Sequence, residues 1–266
     1  MINPFLDIIN QSLPEPQAGL LNGILFGIKA SLPKSFYEAL LTTGTVHLIA
    51  LSGQNISILT GVIAEITLRL GRKISIIVTL AGVIGFVIFV GPTPSLIRAA
   101  IMGSMSLLAV YFGRQNWSLL SLVLAAGIML LINPAWIGDV SFQLSFLASA
   151  GIITLGKAYQ SKIKTIRQEF IRDLLINLRT TLAAQIFTLP LIWWRFHRLS
   201  LIAPLTNVLV GWTVTPIMVM GFGLSLLGWF YLPLGQVAGW LVWVPLTYMI
   251  EVIEITAKIP LATISF

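Results

Sequence analysis

The sequence predicts an all-α polytopic membrane protein with about eight transmembrane helices. Three observations lead to this fold class: hydrophobic residues make up 57% of the 266-residue chain, charged residues make up only 9%, and long apolar segments recur along most of the sequence. Soluble globular domains carry about 25% charged residues, so this chain has too little charge to cover the surface of a water-soluble fold. Intrinsic disorder and a cytosolic enzyme are excluded on the same ground.

The predicted helices correspond to apolar segments of nearly the length that crosses a bilayer, which is about 20 residues. The eight predicted spans lie at residues 44–68, 74–91, 95–113, 117–132, 137–156, 178–194, 201–229 and 232–257. Residues 18–28 are apolar but too few for a crossing, which favours an interfacial helix or a re-entrant piece. Prolines in the later spans are expected to break those helices: Pro190, Pro204, Pro216 and Pro245.

Lysine and arginine residues in the loops predict the orientation, because cytoplasmic loops of membrane proteins carry an excess of them. Ten cations fall on one side of the predicted spans: Arg69, Arg72, Lys73, Arg114, Lys157, Lys162, Lys164, Arg167, Arg172 and Arg179. Five fall on the other: Lys29, Lys34, Arg195, Arg198 and Lys258. The first side is therefore predicted to be cytoplasmic, and an even number of spans then places both termini outside.

The one strongly polar segment covers residues 157–173, where apolar residues recur at three- and four-residue spacing among basic ones. This spacing predicts an amphipathic helix on the anionic cytoplasmic leaflet. A binding site for a cytoplasmic partner or for nucleic acid is the alternative. The expected division of the chain is an N-terminal interfacial segment over residues 1–35 and a transmembrane domain over residues 36–266.

Polar side chains inside the apolar segments mark the candidate functional positions, because an uncompensated polar group in a bilayer is costly. The first cluster surrounds Gly53 and contains His47, Ser52, Gln54 and Asn55. On a continuous helix these side chains would occupy more than one face. The segment is therefore predicted to unwind near Gly53 and to expose backbone groups to water or substrate. Helix packing through the serine and amide side chains is the alternative.

Two further clusters bring ionisable side chains into predicted spans. Pro92 and Pro94 precede Arg98, which enters the membrane one turn later and keeps its charge. Asp139 and Gln143 fall on one helical face in a later span. Because Arg98 and Asp139 are both placed near the outer face, they are expected to form an ion pair. A hydrated Arg98 that contacts phosphate is the alternative.

No catalytic or metal site is predicted. The chain has no cysteine, and its two histidines, His47 and His197, lie far apart in the sequence and outside any metal-binding motif. No close pair of ionisable groups provides an acid and a base. We expect no metal ion, no cofactor and no enzymatic activity.

Three motifs resemble those of the ComEC-type DNA-internalisation proteins, the inner-membrane channels of natural transformation. Residues 47–53 (HLIALSG) are similar to the family's HLLAISG, residues 94–102 (PSLIRAAIM) to its PSxxRAxxM, and residues 139–147 (DVSFQLSFL) to its DPGFQLSFLA. Two looser similarities follow in the family's order, at residues 185–190 and 200–207. Asn55 departs from the pattern, since the family often has His there, and a proton-carrying role at this position is not expected.

The resemblance implies a protein of the bacterial cytoplasmic (inner) membrane that passes single-stranded DNA inward. The polar positions within the apolar segments are predicted to line the DNA path, together with Gly53: His47, Ser52, Gly53, Gln54, Asn55, Arg98, Asp139, Gln143 and Asn207. The implied partners are single-stranded DNA, membrane lipids, a separate DNA receptor, a separate nuclease, and cytoplasmic motor or DNA-binding proteins. A second copy of the chain is a further candidate. The family's OB-like and metallo-β-lactamase-like domains have no counterpart in this sequence.

Two other functions stay open. An integral-membrane enzyme or lipid-linked transporter would need a nucleophile, or a paired acid and base, near its substrate. A non-conducting scaffold of a transformation complex would use the polar residues for helix packing alone.

Overall fold

The computed structural model describes residues 4–30, 32–156, 166–260 and 262–265, and of residues 166–174, 198–199 and 264–265 it describes the backbone alone. The helices in this part of the chain are α1 (Pro4–Ser12), α2 (Gln17–Phe26), α3 (Lys34–Thr42), α4 (Gly53–Thr67), α5 (Arg72–Val90), α6 (Pro94–Tyr111), α7 (Ser118–Ile132), α8 (Val140–Leu155), α9 (Ile166–Phe196), α10 (Ala203–Phe230) and α11 (Leu232–Ala257). Short 3₁₀ turns lie at Val46–Ile49, Leu68–Leu70 and Pro134–Gly138. Two short strands, β1 (Arg198–Ser200) and β2 (Thr263–Ser265), pair in antiparallel register.

The all-α class is confirmed, and each of α4 to α11 overlaps one predicted apolar segment. Within the described residues, five helical segments are long and apolar enough to cross a membrane: α5, α6, Leu175–Phe196 of α9, α10 and α11. The helices α7 and α8 are apolar but have only 15 and 16 residues, and α4 has 15. Because a crossing takes about 20 residues, the count of eight spans stays a prediction.

The prolines of the last three spans do not break their helices, contrary to the prediction. Pro190, Pro216 and Pro245 lie inside continuous α9, α10 and α11. Pro204 lies in the first turn of α10, where its missing N–H is not needed. Helices in apolar surroundings tolerate proline because neighbouring groups take over the freed backbone carbonyls.

The predicted surface helix over residues 157–173 lies partly outside the described residues. From Ile166 onward the backbone is the beginning of α9, which continues without interruption into the candidate span. A placement of this segment on the membrane surface therefore stays a prediction.

The chain divides into two compact units, one formed by residues 1–51 and 196–266 and the other by residues 52–195. In the first unit, α10 and α11 are joined by Tyr231 alone and pack on each other. A Cβ on Gly235 would lie 2.7 Å from the Cα of Gly228, so the two backbones approach closely only because both residues are glycine. All ten residues of α2 are buried, and the interfacial placement of residues 1–35 stays a prediction.

The second unit packs α4, α5 and α6 against one another, and α6 also contacts α7 and α8. Gly91, at φ +103°, allows the chain to turn between α5 and α6. The C-terminal carbonyls of two helices accept hydrogen bonds from arginine: Arg72 Nη2 donates to Val110 over 2.8 Å, and Arg179 Nε donates to Leu155 over 3.1 Å. A cation at a helix C-terminus is stabilised by the helix dipole.

Candidate functional site

The apolar segment around Gly53 is interrupted in the structure. The turn that follows α3 places Gly44 at φ +67°, the 3₁₀ turn Val46–Ile49 follows, Ala50 is extended, and α4 begins only at Gly53. The predicted unwinding near Gly53 is therefore confirmed, and it lies directly before that residue. The interruption leaves the first amides of α4 without partners inside the helix.

Ser52 and Asn55 complete the start of α4. Ser52 is the N-cap residue: its Oγ accepts a hydrogen bond from the Gln54 amide over 3.3 Å and donates one to Asn55 Oδ1 over 3.1 Å. The Asn55 amide donates to the Ser52 carbonyl over 3.2 Å. Asn55 is buried, whereas the side chain of Gln54 is exposed. Ser52 and Asn55 thus hold the helix start in shape, which is the capping role expected of serine at this position.

Arg98 lies one turn into α6 and points at the start of α4. Its side chain is only 8% exposed, and its Nη2 atom lies 3.2 Å from the point that a Cβ on Gly53 would occupy. The guanidinium carbon lies 5.9 Å from the ring centroid of Phe146 in α8, a cation–π arrangement. Its Nε–H is buried and has no hydrogen-bond partner among the described residues.

The predicted Arg98–Asp139 ion pair is wrong. Asp139 is the N-cap residue of α8, and its Oδ1 accepts a hydrogen bond from the Phe142 amide over 2.9 Å. In the described part of the chain no carboxylate lies within ion-pair distance of Arg98. The helix start already supplies the carboxylate with an amide donor and a favourable dipole, so Asp139 is satisfied without the arginine.

Gln143 and Asn207 each keep a buried oxygen without a hydrogen-bond partner in the described structure. The Gln143 Nε2 group donates to the Ile137 carbonyl over 2.8 Å, while its Oε1 is unpaired. Asn207 lies on α10 in the first unit, and its Oδ1 is unpaired. Buried polar atoms without partners are rare in folded proteins and indicate places that water or a ligand completes.

His47 belongs to the first unit and lies on the 3₁₀ turn. Its Nδ1 atom lies 3.0 Å from the Gly44 carbonyl. A carbonyl only accepts, so Nδ1 carries the proton and Nε2 is the acceptor in the neutral ring. The imidazole is exposed.

The structure thus brings Ser52, Gly53 and Arg98 together within the second unit and adds Phe146, which the sequence reasoning missed. The signal for Phe146 was its position in the FQLSF motif, one turn after Phe142, whose ring centroid lies 4.4 Å away. The groups gathered here are hydrogen-bond donors and acceptors and one cation. Among the described residues no three His, Asp or Glu side chains are grouped so that they could hold a metal ion.

Five helical segments among the described residues are long and apolar enough to cross a membrane, and a chain of this kind belongs to the class of polytopic membrane proteins. The sequence profile of the competence protein family matches residues 24–266. The chain therefore belongs to the competence protein family.

Two curated relatives are similar to this chain. ComE operon protein 3 of Bacillus subtilis (strain 168) is 28% identical over 207 residues, which cover 77% of this chain and 26% of that protein. Competence protein ComA of Neisseria gonorrhoeae is 23% identical over 261 residues, which cover 92% of this chain and 35% of that protein. The chain therefore spans about a third of the length of these relatives or less. No solved structure matches it.

Proposed function

We propose that this chain is the membrane part of a DNA-uptake system and passes single-stranded DNA across the bacterial inner membrane in natural transformation. The observation that carries the proposal is the match of the competence protein family to residues 24–266. The cytoplasmic membrane, with both termini outside, is the proposed location. The cation split of ten to five supports this orientation.

The chemistry of the second unit supports a path for a polyanion. Such a path needs cations and hydrogen-bond donors, with no dense ring of carboxylates. Arg98 supplies a buried cation that no carboxylate neutralises in the described structure. Asp139, the one carboxylate among the proposed path residues, is engaged by the start of its own helix. We therefore assign the path in this unit to Ser52, Gly53, Gln54, Asn55, Arg98, Asp139 and Gln143; His47 and Asn207 stay predictions from the sequence.

The proposed partners are single-stranded DNA, membrane lipids, and separate proteins that act as DNA receptor, nuclease and cytoplasmic motor or DNA-binding protein. The chain has no nucleotide-binding P-loop sequence. Movement of the strand driven by ATP would therefore need a partner protein.

A strain without this chain tests the proposal. Labelled duplex DNA is supplied to competent cells, and two quantities are measured: label that stays on the cell surface and label that becomes nuclease-resistant inside. We expect surface binding to persist and internal label to be lost, with recovery when the gene is restored. Normal internal label in the deletion strain would contradict a transport role.

A further inference from the structure

Two positive groups meet at Gly53, and no carboxylate of the described residues pairs with either of them. The first is the start of α4, a 15-residue helix whose N-terminus carries about half a positive charge from the aligned peptide dipoles. The second is Arg98, which keeps its charge under ordinary conditions. Its Nη2 atom lies 3.2 Å from the position of an added Cβ on Gly53. Two like charges this close repel each other, and burial strengthens the repulsion.

Neither positive group is neutralised within the described structure. Arg98 is more than nine-tenths buried, has no carboxylate partner there, and leaves its Nε–H without an acceptor. The Phe146 ring offers only its face, which attracts a cation more weakly than an anion does. At the helix start, the amides of Gln54 and Asn55 bond to Ser52. No acceptor for the Gly53 amide is found among the hydrogen bonds of the described residues.

We infer that the start of α4 and Arg98 form a binding site for one phosphodiester oxyanion of single-stranded DNA. An oxyanion at this point accepts hydrogen bonds from the guanidinium and the Gly53 amide and neutralises both positive groups. Glycine at position 53 allows the guanidinium to lie this close to the helix start, because a Cβ there would lie only 3.2 Å from Nη2 of Arg98. The inference rests on the proposed function for the identity of the ligand, whereas any oxyanion would neutralise the two positive groups. A lipid phosphate is the competing source.

The test measures binding of a fluorescent 20-nucleotide oligothymidylate to the purified chain in nanodiscs at several salt concentrations. In single strands each phosphate contact contributes about 0.7 to the slope of log affinity against log salt. We expect Arg98→Gln to lower that slope by about 0.7 and to weaken binding about tenfold, the loss of one charge-assisted contact. The same oligonucleotide with a neutral methylphosphonate backbone should bind both proteins weakly and equally.

Gly53→Ala provides a second variant that keeps every charge. Its Cβ would displace the guanidinium end and should also weaken oligothymidylate binding. Gly61→Ala is the matched control on the same helix, since a Cβ there meets nothing within 4 Å, and it should bind like the unaltered chain. If the Arg98→Gln protein does not fold, the comparison of Gly53→Ala with Gly61→Ala tests the site instead. Equal affinity of these two alanine variants for oligothymidylate would overturn the site.

Two outcomes separate this site from the proposed function. Equal salt slopes for the unaltered chain and Arg98→Gln would overturn the site and leave DNA uptake as measured in cells untouched. Arg98-dependent binding that appears only for phosphatidylglycerol nanodiscs, and never for oligothymidylate, would assign the site to lipid and overturn the DNA ligand. Normal uptake in the deletion strain would contradict the proposed function, whereas binding of oligothymidylate by the purified chain would still test the oxyanion site.

Discussion

The polar side chains of the candidate site differ in where their hydrogen bonds go. Ser52 and Asp139 accept from amides at the starts of their own helices. Arg98, Gln143 and Asn207 each keep one buried polar atom without a partner in the described structure. A side chain that caps a helix acts on stability, whereas a buried polar group without a partner is unusual and calls for an explanation, such as an ordered water or an ion. At the scale of residues, Asp139 therefore serves the start of its own helix, whereas Arg98 keeps a buried donor without an acceptor among the described residues.

Substitution of Asp139 tests this assignment. Asp139→Ala removes the acceptor for the Phe142 amide and should lower the free energy of unfolding by about 1 kcal/mol, whereas Asp139→Asn keeps an acceptor and should cost only a fraction of that. The thermal unfolding midpoint of the purified protein measures both effects, and DNA uptake by Asp139→Asn cells should stay normal. Loss of uptake by a stable Asp139→Asn protein would show that the negative charge itself is needed.

At the scale of elements, close contacts between helix backbones occur at glycine. Gly151 of α8 faces the backbone of Ala183 in α9, and a Cβ there would lie 3.0 Å from the Ala183 carbonyl carbon and still closer to its oxygen. Because a backbone carbonyl cannot move aside without shifting its helix, this glycine determines how closely α8 and α9 pack. Small residues serve the same purpose in other membrane helix pairs.

Gly151→Ala should therefore destabilise the second unit by about 1–3 kcal/mol, the cost of overpacking a close contact. Gly127→Ala is the control, because its Cβ would meet nothing within 4 Å on α7 and alanine favours a helix over glycine. Thermal unfolding of the two purified variants gives the comparison. If both variants unfold at the same temperature, the close approach of α8 and α9 at Gly151 is wrong.

At the scale of the whole molecule, the orientation in the membrane depends on the loop charges. Arg72 and Arg179, both assigned to the cytoplasmic side, bond to the C-terminal carbonyls of α6 and α8 in the structure. This places the start of α5 beside the end of α6, as the predicted alternation of spans requires. The hydrogen bonds are the same in either orientation, so only a labelling experiment decides which side is cytoplasmic.

Single cysteines test the orientation without background, because the chain has none of its own. Asp7→Cys and Arg114→Cys are suitable, since both side chains are exposed in the structure. In intact cells a membrane-impermeant maleimide should label cysteine at position 7 and not at position 114, and both should react after the membrane is opened. The reverse pattern would overturn the orientation and the inward direction of transport.

The sequence alone determined the helical class, an apolar segment that overlaps each of α4 to α11, and an interruption near Gly53. These properties depend on the local sequence: the length of an apolar segment indicates where a helix forms, and a glycine among polar residues indicates where the helix is interrupted. The sequence also identified the polar residues of the second unit as candidate functional positions, because each one interrupts an apolar segment.

Only the tertiary structure decided which of those residues meet. Arg98 faces Gly53 and Phe146 instead of Asp139, and the helices around Pro190 and Pro245 stay continuous. Side-chain partners depend on the rotation and depth of one helix against another, which many close contacts fix together. Asp139 accepts a hydrogen bond from the Phe142 amide at the start of α8 and does not pair with Arg98. Matching opposite charges along the sequence does not reveal this local hydrogen bond.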